Sequence, residues 1–224
     1  MAVEAKAKTS GKTAPEVQSE PRTKGERTRE RLLDLTYLSV IRKGFAATSI
    51  EELVEEAGIT KSGFFYHFKD KQDLARQMIE RYADSNVSFL DAMSARAREL
   101  HEDPLHSFLI FLKLYAEDMN EQVDQHPGCM IATVTYQDLS FDRKTRELTF
   151  GVVRTWRAKF LDWLTQIAAA YPTRKPADVE AMADAILALT YGGMTLSKAI
   201  GDPGVIGRQV LMFRETVRLT FQEG

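Results

Sequence analysis

Residues Gly58–Lys71 read "GITKSGFFYHFKDK" and crowd hydroxyl, basic and aromatic side chains around two glycines. Thr60, Lys61, Tyr66, His67 and Lys71 are donors of the kinds that reach phosphate oxygens, and Phe64 offers an apolar face to a thymine methyl. Gly63 would let a helix carrying them approach a base edge, at about 1 kcal/mol against Ala in a helix interior. A second group centres on Cys129 in "DQHPGCMIATVTYQ". A thiol set at a helix amino terminus by the Pro-Gly break is expected to have a lowered pKa, with His126 close in sequence to assist. Packed as a small apolar residue, it would instead be inert.

Those side chains need elements to hold them. Between Thr23 and Lys43, Leu32, Leu33, Thr36 and Val40 share one helical face, and Gly44 after two basic residues is a stop signal. In "ATSIEELVEEAG", Thr48 and Glu51 have capping-box spacing, Ile50, Leu53, Val54 and Ala57 form the apolar face, and Gly58 closes a short helix. Thr60 then caps a third helix from Lys61 to about His67, with Phe65 and Phe68 expected to anchor it in a small core. Asp70 caps a long fourth helix bearing Leu74, Met78 and Tyr82. Helix, tight turn and helix in this order make the unit that places a second helix in the DNA major groove, and Arg27 and Thr48 complete the expected DNA-facing set. From residue 84 onward the pattern stays helical, broken at Pro104, at Pro127 with Gly128, around Pro172 and around Pro203, so the expected class is all-α.

Composition narrows the function classes. A net charge of −2 excludes a chain that coats nucleic acid by bulk charge, so any DNA contact is local. The chain has 224 residues, 44% of them hydrophobic, and no apolar run approaches the ~20 needed for a membrane span. One cysteine rules out an intrachain disulfide, and the first 23 residues lack an apolar core of the secretory kind, so a cytoplasmic protein with a disordered arm at 1–23 is expected. No nucleophile elbow, P-loop or H-E-x-x-H occurs, and His101, His106, His126 and Cys129 match no tight ligand spacing. Neither an enzyme, a cofactor nor a metal ion is expected. A helical interaction module without DNA binding would leave "TKSGFFYHFKDK" without a purpose.

The stretch "KGFAATSIEELVEEAGITKSGFFYHFKDKQDL" resembles the tetracycline-repressor (TetR) family of transcriptional regulators, over roughly Thr23–Tyr82. The resemblance implies about nine helices, with a helix-turn-helix DNA-binding domain at 24–70 joined to a helical ligand-binding and dimerisation domain at 71–224. It implies a homodimer on double-stranded, palindromic operator DNA, acting as a repressor released by a small-molecule effector. Thr60, Lys61, Gly63, Phe64, Tyr66, His67 and Lys71 match positions that touch DNA in such proteins. Two features depart from the family. Phe64 stands where many relatives have a small or hydroxyl residue, and Leu38 and Ile41 place apolar groups on the first helix that point to an extra contact with the larger domain. Some family members carry a cysteine after a glycine in a similar place, which implies an electrophilic or unsaturated effector, or thiol-based redox sensing at Cys129.

The remaining apolar pattern divides into a sensor and an association surface. Tyr115, Met119, Cys129, Tyr136, Trp156 and Tyr191 are the expected lining of an effector cavity between helices. Ala181, Ala185, Ala188, Gly192 and Gly193 permit close helix approach, and Ile206, Val210, Phe213, Val217 and Phe221 fall at helical spacing, so these two helices are expected to pair across a dimer.

Overall fold

The computed structural model describes residues 23–122, 129–173 and 176–222. Among them are nine α-helices, α1 Lys24–Lys43, α2 Ile50–Ala57, α3 Lys61–His67, α4 Lys71–Leu100, α5 Pro104–Gln122, α6 Met130–Tyr136, α7 Arg143–Ala170, α8 Val179–Ile200 and α9 Val205–Gln222, with a 3-10 turn at Asp138–Ser140 and no strand. The all-α expectation holds, including at "TVTY", which is helical in α6. No helix among the described residues is long and apolar enough to cross a membrane. Apart from Thr23, the arm expected at 1–23 lies outside the described residues, as do His126, Pro127 and Gly128.

The helix starts follow from local polar chemistry. Thr23 and Glu26 form a reciprocal capping box at α1, and the Asp70 side chain accepts from the Asp73 N–H at α4. At α2 the box sits one residue later than Thr48 and Glu51: Ser49 accepts from the Glu52 N–H, and the Glu52 carboxylate reaches back to Ser49. Thr48 is unavailable because its hydroxyl donates to the Gly44 carbonyl at 3.0 Å and lies 2.9 Å from Ser39 Oγ, with the residue 1% exposed. Gly58 ends α2 in the left-handed region, φ 68°, and the Ile59 N–H bonds back to the Val54 carbonyl, so a turn of two residues suffices before the Thr60 cap.

Packing divides the described residues into two apolar cores. The larger joins α5, α7, α8 and α9 to the far part of α4, with Phe108, Phe111, Phe160 and Trp163 at its centre. The smaller holds Leu32, Val40 and Ile41 of α1, Leu53 of α2, Phe64 of α3 and Phe68 at its end, and Leu74 and Met78 of α4. It also takes in Met130 and Val134 of α6 and Phe141 just before α7. Ile41 thereby shares a core with residues well beyond the amino-terminal helices, whereas Leu38, expected to act with it, belongs to neither core. Helix α6 serves both cores, because its Ile131 belongs to the larger one.

Polar contacts reinforce this junction. The Phe45 N–H donates to Gln137 Oε1 at 3.0 Å, and Gln72 donates to the Ser140 carbonyl at 3.1 Å while accepting from the Asp142 N–H at 3.3 Å. Phe45 stacks on Phe141 with ring centroids 4.5 Å apart. Gly44, at φ 85°, brings the chain so close to the Gln137 amide that a Cβ would collide with it.

The association surface differs in part from the one expected: on α8 Ala181, Ala188 and Gly192 are exposed and Ala185 is half-buried, whereas the α9 stripe is not available. Ile206, Val210, Phe213, Val217 and Phe221 are all buried within the chain itself, and Gly193 packs on Ile206. The 3.6-residue period reports that a face is covered, not by which molecule. The large apolar residues exposed on these helices are Leu196 and Ile200 of α8 and Leu211, Met212 and Leu219 of α9.

Candidate nucleic-acid interface

Helix α3 presents two unlike faces. Phe64 is fully buried and packs on Phe68 at 5.7 Å, whereas Phe65 is 48% and Tyr66 82% exposed. The burial expected of Phe64 and Phe65 is therefore reversed. A residue four before Phe68 shares its inward face, and the short turn after Gly58 sets that face toward Leu53 and Leu74 in one core. Phe64 cannot meet a thymine methyl. At Gly63 a Cβ would make only ordinary van der Waals contact, with Thr60 Oγ1 at 3.4 Å and Ile59 Cβ at 3.7 Å, so packing within the chain does not call for the glycine.

What the exposed side offers is donors. Thr60, Lys61, Ser62, Tyr66 and Lys69 are exposed along α3 and its ends. The start of α1 lies beside them, because the His67 ring edge faces the Cβ position of Gly25 at 3.8 Å, and Lys24 and Arg27 are exposed there. Ser62 was not singled out in the sequence, although its place between Lys61 and Gly63 in a capped helix was the available signal. Lys61 Nζ lies 2.7 Å from Glu51, which holds that carboxyl below its usual range. Both groups are exposed, so the pair is weak and a phosphate can replace the carboxylate. His67 is pushed down by burial and then by Arg29, which makes it a neutral hydrogen-bonding group near pH 7.

Two expected contacts are drawn inward. Thr48 is buried, as described. Lys71 is half-buried with its ammonium 4.4 Å above the Phe45 ring, and burial, then Lys43, lowers its pKa.

The expected effector residues also separate. Tyr136 is 82% exposed at the end of α6 and lies outside the larger core. Tyr115 and Trp156 are buried with rings 5.9 Å apart, and Met119, Cys129 and Tyr191 pack against the same core. Trp156 Nε1 is buried without a hydrogen-bond partner, a donor in search of an acceptor. Cys129 is the N-cap residue of α6, as expected, but burial outweighs the pull of the Ile131 and Ala132 N–H groups and pushes its thiol up, not down. Four tyrosines, Tyr37, Tyr82, Tyr115 and Tyr191, lie near enough to be raised first by burial and also by Cys129. They stay neutral donors, and the thiol stays protonated.

Residues 32–78, from the middle of α1 to the second turn of α4, match the family model described as "Bacterial regulatory proteins, tetR family". This segment is similar to the DNA-binding domain of the TetR family. Among curated regulators, the chain is 32% identical over 108 residues to the HTH-type transcriptional repressor BepR of Brucella suis, covering 46% of this chain and 50% of that one. It is 23% identical over 186 residues to the transcriptional regulator AcuR of Cereibacter sphaeroides, covering 77% of this chain and 80% of that one. Two further curated regulators are matched over only 40% and 30% of their length. The whole fold is similar to a TetR-family regulator from Agrobacterium tumefaciens, with TM-score 0.72 and 19% identity over 86% of this chain and 98% of that one.

Proposed function

We propose that the chain is a ligand-responsive DNA-binding transcriptional regulator, a homodimer whose α3 enters the major groove of a palindromic operator. The observation that carries this reading is the division of α3 into a buried Phe64–Phe68 face and an exposed face of Lys61, Ser62, Tyr66 and Lys69. One helix of seven residues reads too few bases alone, so two copies on half-sites about 34–36 Å apart are needed. The exposed Leu196, Ile200, Leu211, Met212 and Leu219 are the apolar surface available for that pairing. Repression fits the similarity to BepR, a transcriptional repressor.

The effector site in this reading lies around Tyr115, Trp156, Cys129 and Tyr191, and takes a small molecule with an acceptor for the Trp156 N–H. Burial pushes the Cys129 thiol up, which lowers its thiolate fraction and favours a noncovalent mode of binding in this reading. Helix α4 runs 30 residues, about 45 Å, from the DNA side into the larger core, and α6 shares both cores, so occupancy of one bears on the geometry of the other.

Compounds found by thermal shift would be tested for DNA release with wild type, Cys129→Ser and Trp156→Phe. Release is expected to survive loss of the thiol and to weaken several-fold, up to about tenfold, with loss of the indole N–H. Operator DNA must weaken compound binding by the factor by which the compound weakens DNA binding. A compound bound equally well with and without DNA, or released only through Cys129, would overturn this part of the reading.

A further inference from the structure

The corner between α4 and α5 brings together three groups that neither DNA contact nor the larger core uses. His101, Asp103 and His106 each offer a ligand atom, and those atoms lie within 4.8 Å of one another. The His101 and His106 rings stack at 4.7 Å with 20° between planes, and both residues are exposed. Asp103 Oδ1 lies 2.7 Å from His106 Nδ1 and accepts from the His106 N–H at 2.9 Å. The Asp103 N–H donates to His101 Nδ1 at 3.1 Å, so one short segment ties both imidazoles to one carboxylate.

The scaffold behind this corner is rigid. The Tyr171 hydroxyl, at the end of α7, donates to Asp103 Oδ2 at 2.7 Å, and Trp163 Nε1 donates to the Pro104 carbonyl at 3.1 Å. Burial opposes ionisation of Asp103, yet the His106 N–H, the Tyr171 hydroxyl and the His106 ring hold its carboxyl down at about 2. Capping α5 accounts for the carboxylate. It does not account for two exposed imidazoles gathered on either side of it.

We infer that His101, Asp103 and His106 form a binding site for a divalent transition-metal ion of the Zn2+ or Ni2+ kind. Two imidazoles and one carboxylate suit such borderline ions, and an exposed corner leaves room for water as a further ligand. The ion would take the place of the proton between His106 Nδ1 and Asp103 Oδ1. Tetrahedral coordination at ordinary Zn–N and Zn–O lengths needs that pair to open by roughly 0.7 Å, a side-chain rotation at an exposed position. Tyr171 is the outer partner that orients the carboxylate. The spacing His-x-Asp-x-x-His differs from the combination with His126 and Cys129 weighed in the sequence, and Cys129 is not part of this group.

The test uses the full chain with any affinity tag removed, titrated with Zn2+ against a chromophoric chelator. About one ion per chain is expected at micromolar or tighter affinity, weakened at least about tenfold by His101→Ala with His106→Ala. The combination His126→Ala with Cys129→Ser should bind as wild type does. Helical content in the presence of a chelator checks that each variant folds, and His106→Gln alone supplies a milder test. Binding by the double histidine variant equal to wild type, no binding by wild type, or binding that disappears with His126 and Cys129 would each overturn the assignment.

Discussion

Replacing Phe64 with alanine is expected to cost about 3–5 kcal/mol and to loosen the DNA-binding unit without shifting its choice of bases. The ring is fully buried against Phe68, in a core shared with Leu53 and Leu74, so truncation leaves a cavity rather than an altered recognition surface. Against a typical total stability of about 5–15 kcal/mol this loss is large. Phe65→Ala is the contrast. That ring meets Phe64 edge-on at 5.3 Å but is 48% exposed, and its removal should cost far less. Urea unfolding of both variants decides the matter. Near-native stability of Phe64→Ala combined with a changed base preference would place the ring in the groove after all.

Phe141→Ala is the second large effect, and it acts at a distance in sequence. Phe141 stacks on Phe45 at 4.5 Å and is buried with Met130 and Val134 among the residues of α1 to α4. Its loss, about 3–5 kcal/mol locally, should speed amide exchange in α1 to α3 by about 100-fold or more if those helices open as one unit. The core of α5, α8 and α9 should keep its protection. Unchanged exchange in α1 to α3 would mean that the junction after α6 merely rests on the DNA-binding unit.

The amino-terminal helices were readable because each boundary is a local event. Gly44, Gly58, Thr60 and Asp70 act within four residues of themselves, and periodicity over Leu32 to Val40 needed no partner. Where two hydroxyls compete, as at Thr48 and Ser49, the sequence cannot say which is spent on a carbonyl one turn back. The reversed burial of Phe64 and Phe65 has the same origin: in a helix of two turns, adjacent aromatics differ by 100°, and the entry angle that chooses between them is set by the preceding turn. Long-range partners leave no local trace. Gln137 against Phe45, Gln72 against Ser140, and α6 divided between two cores depend on how distant segments meet. Tyr136 fell outside the larger core because a tyrosine in an apolar stretch looks alike on either face, and the elevated thiol of Cys129 reflects burial that spacing cannot measure.

The most direct measurement is equilibrium binding of the full chain to duplex DNA from upstream of its own coding sequence, at two stated salt concentrations, for wild type and for Lys61→Ala with Tyr66→Ala. Both residues are exposed, so the variant should unfold as wild type does. Wild type is expected to prefer this DNA over random duplex, and the variant to lose at least about tenfold in affinity with a shallower salt dependence, since fewer phosphates are neutralised. Equal binding by the two proteins, or no preference for the upstream DNA, would contradict the assignment of the exposed α3 face as the DNA-reading surface.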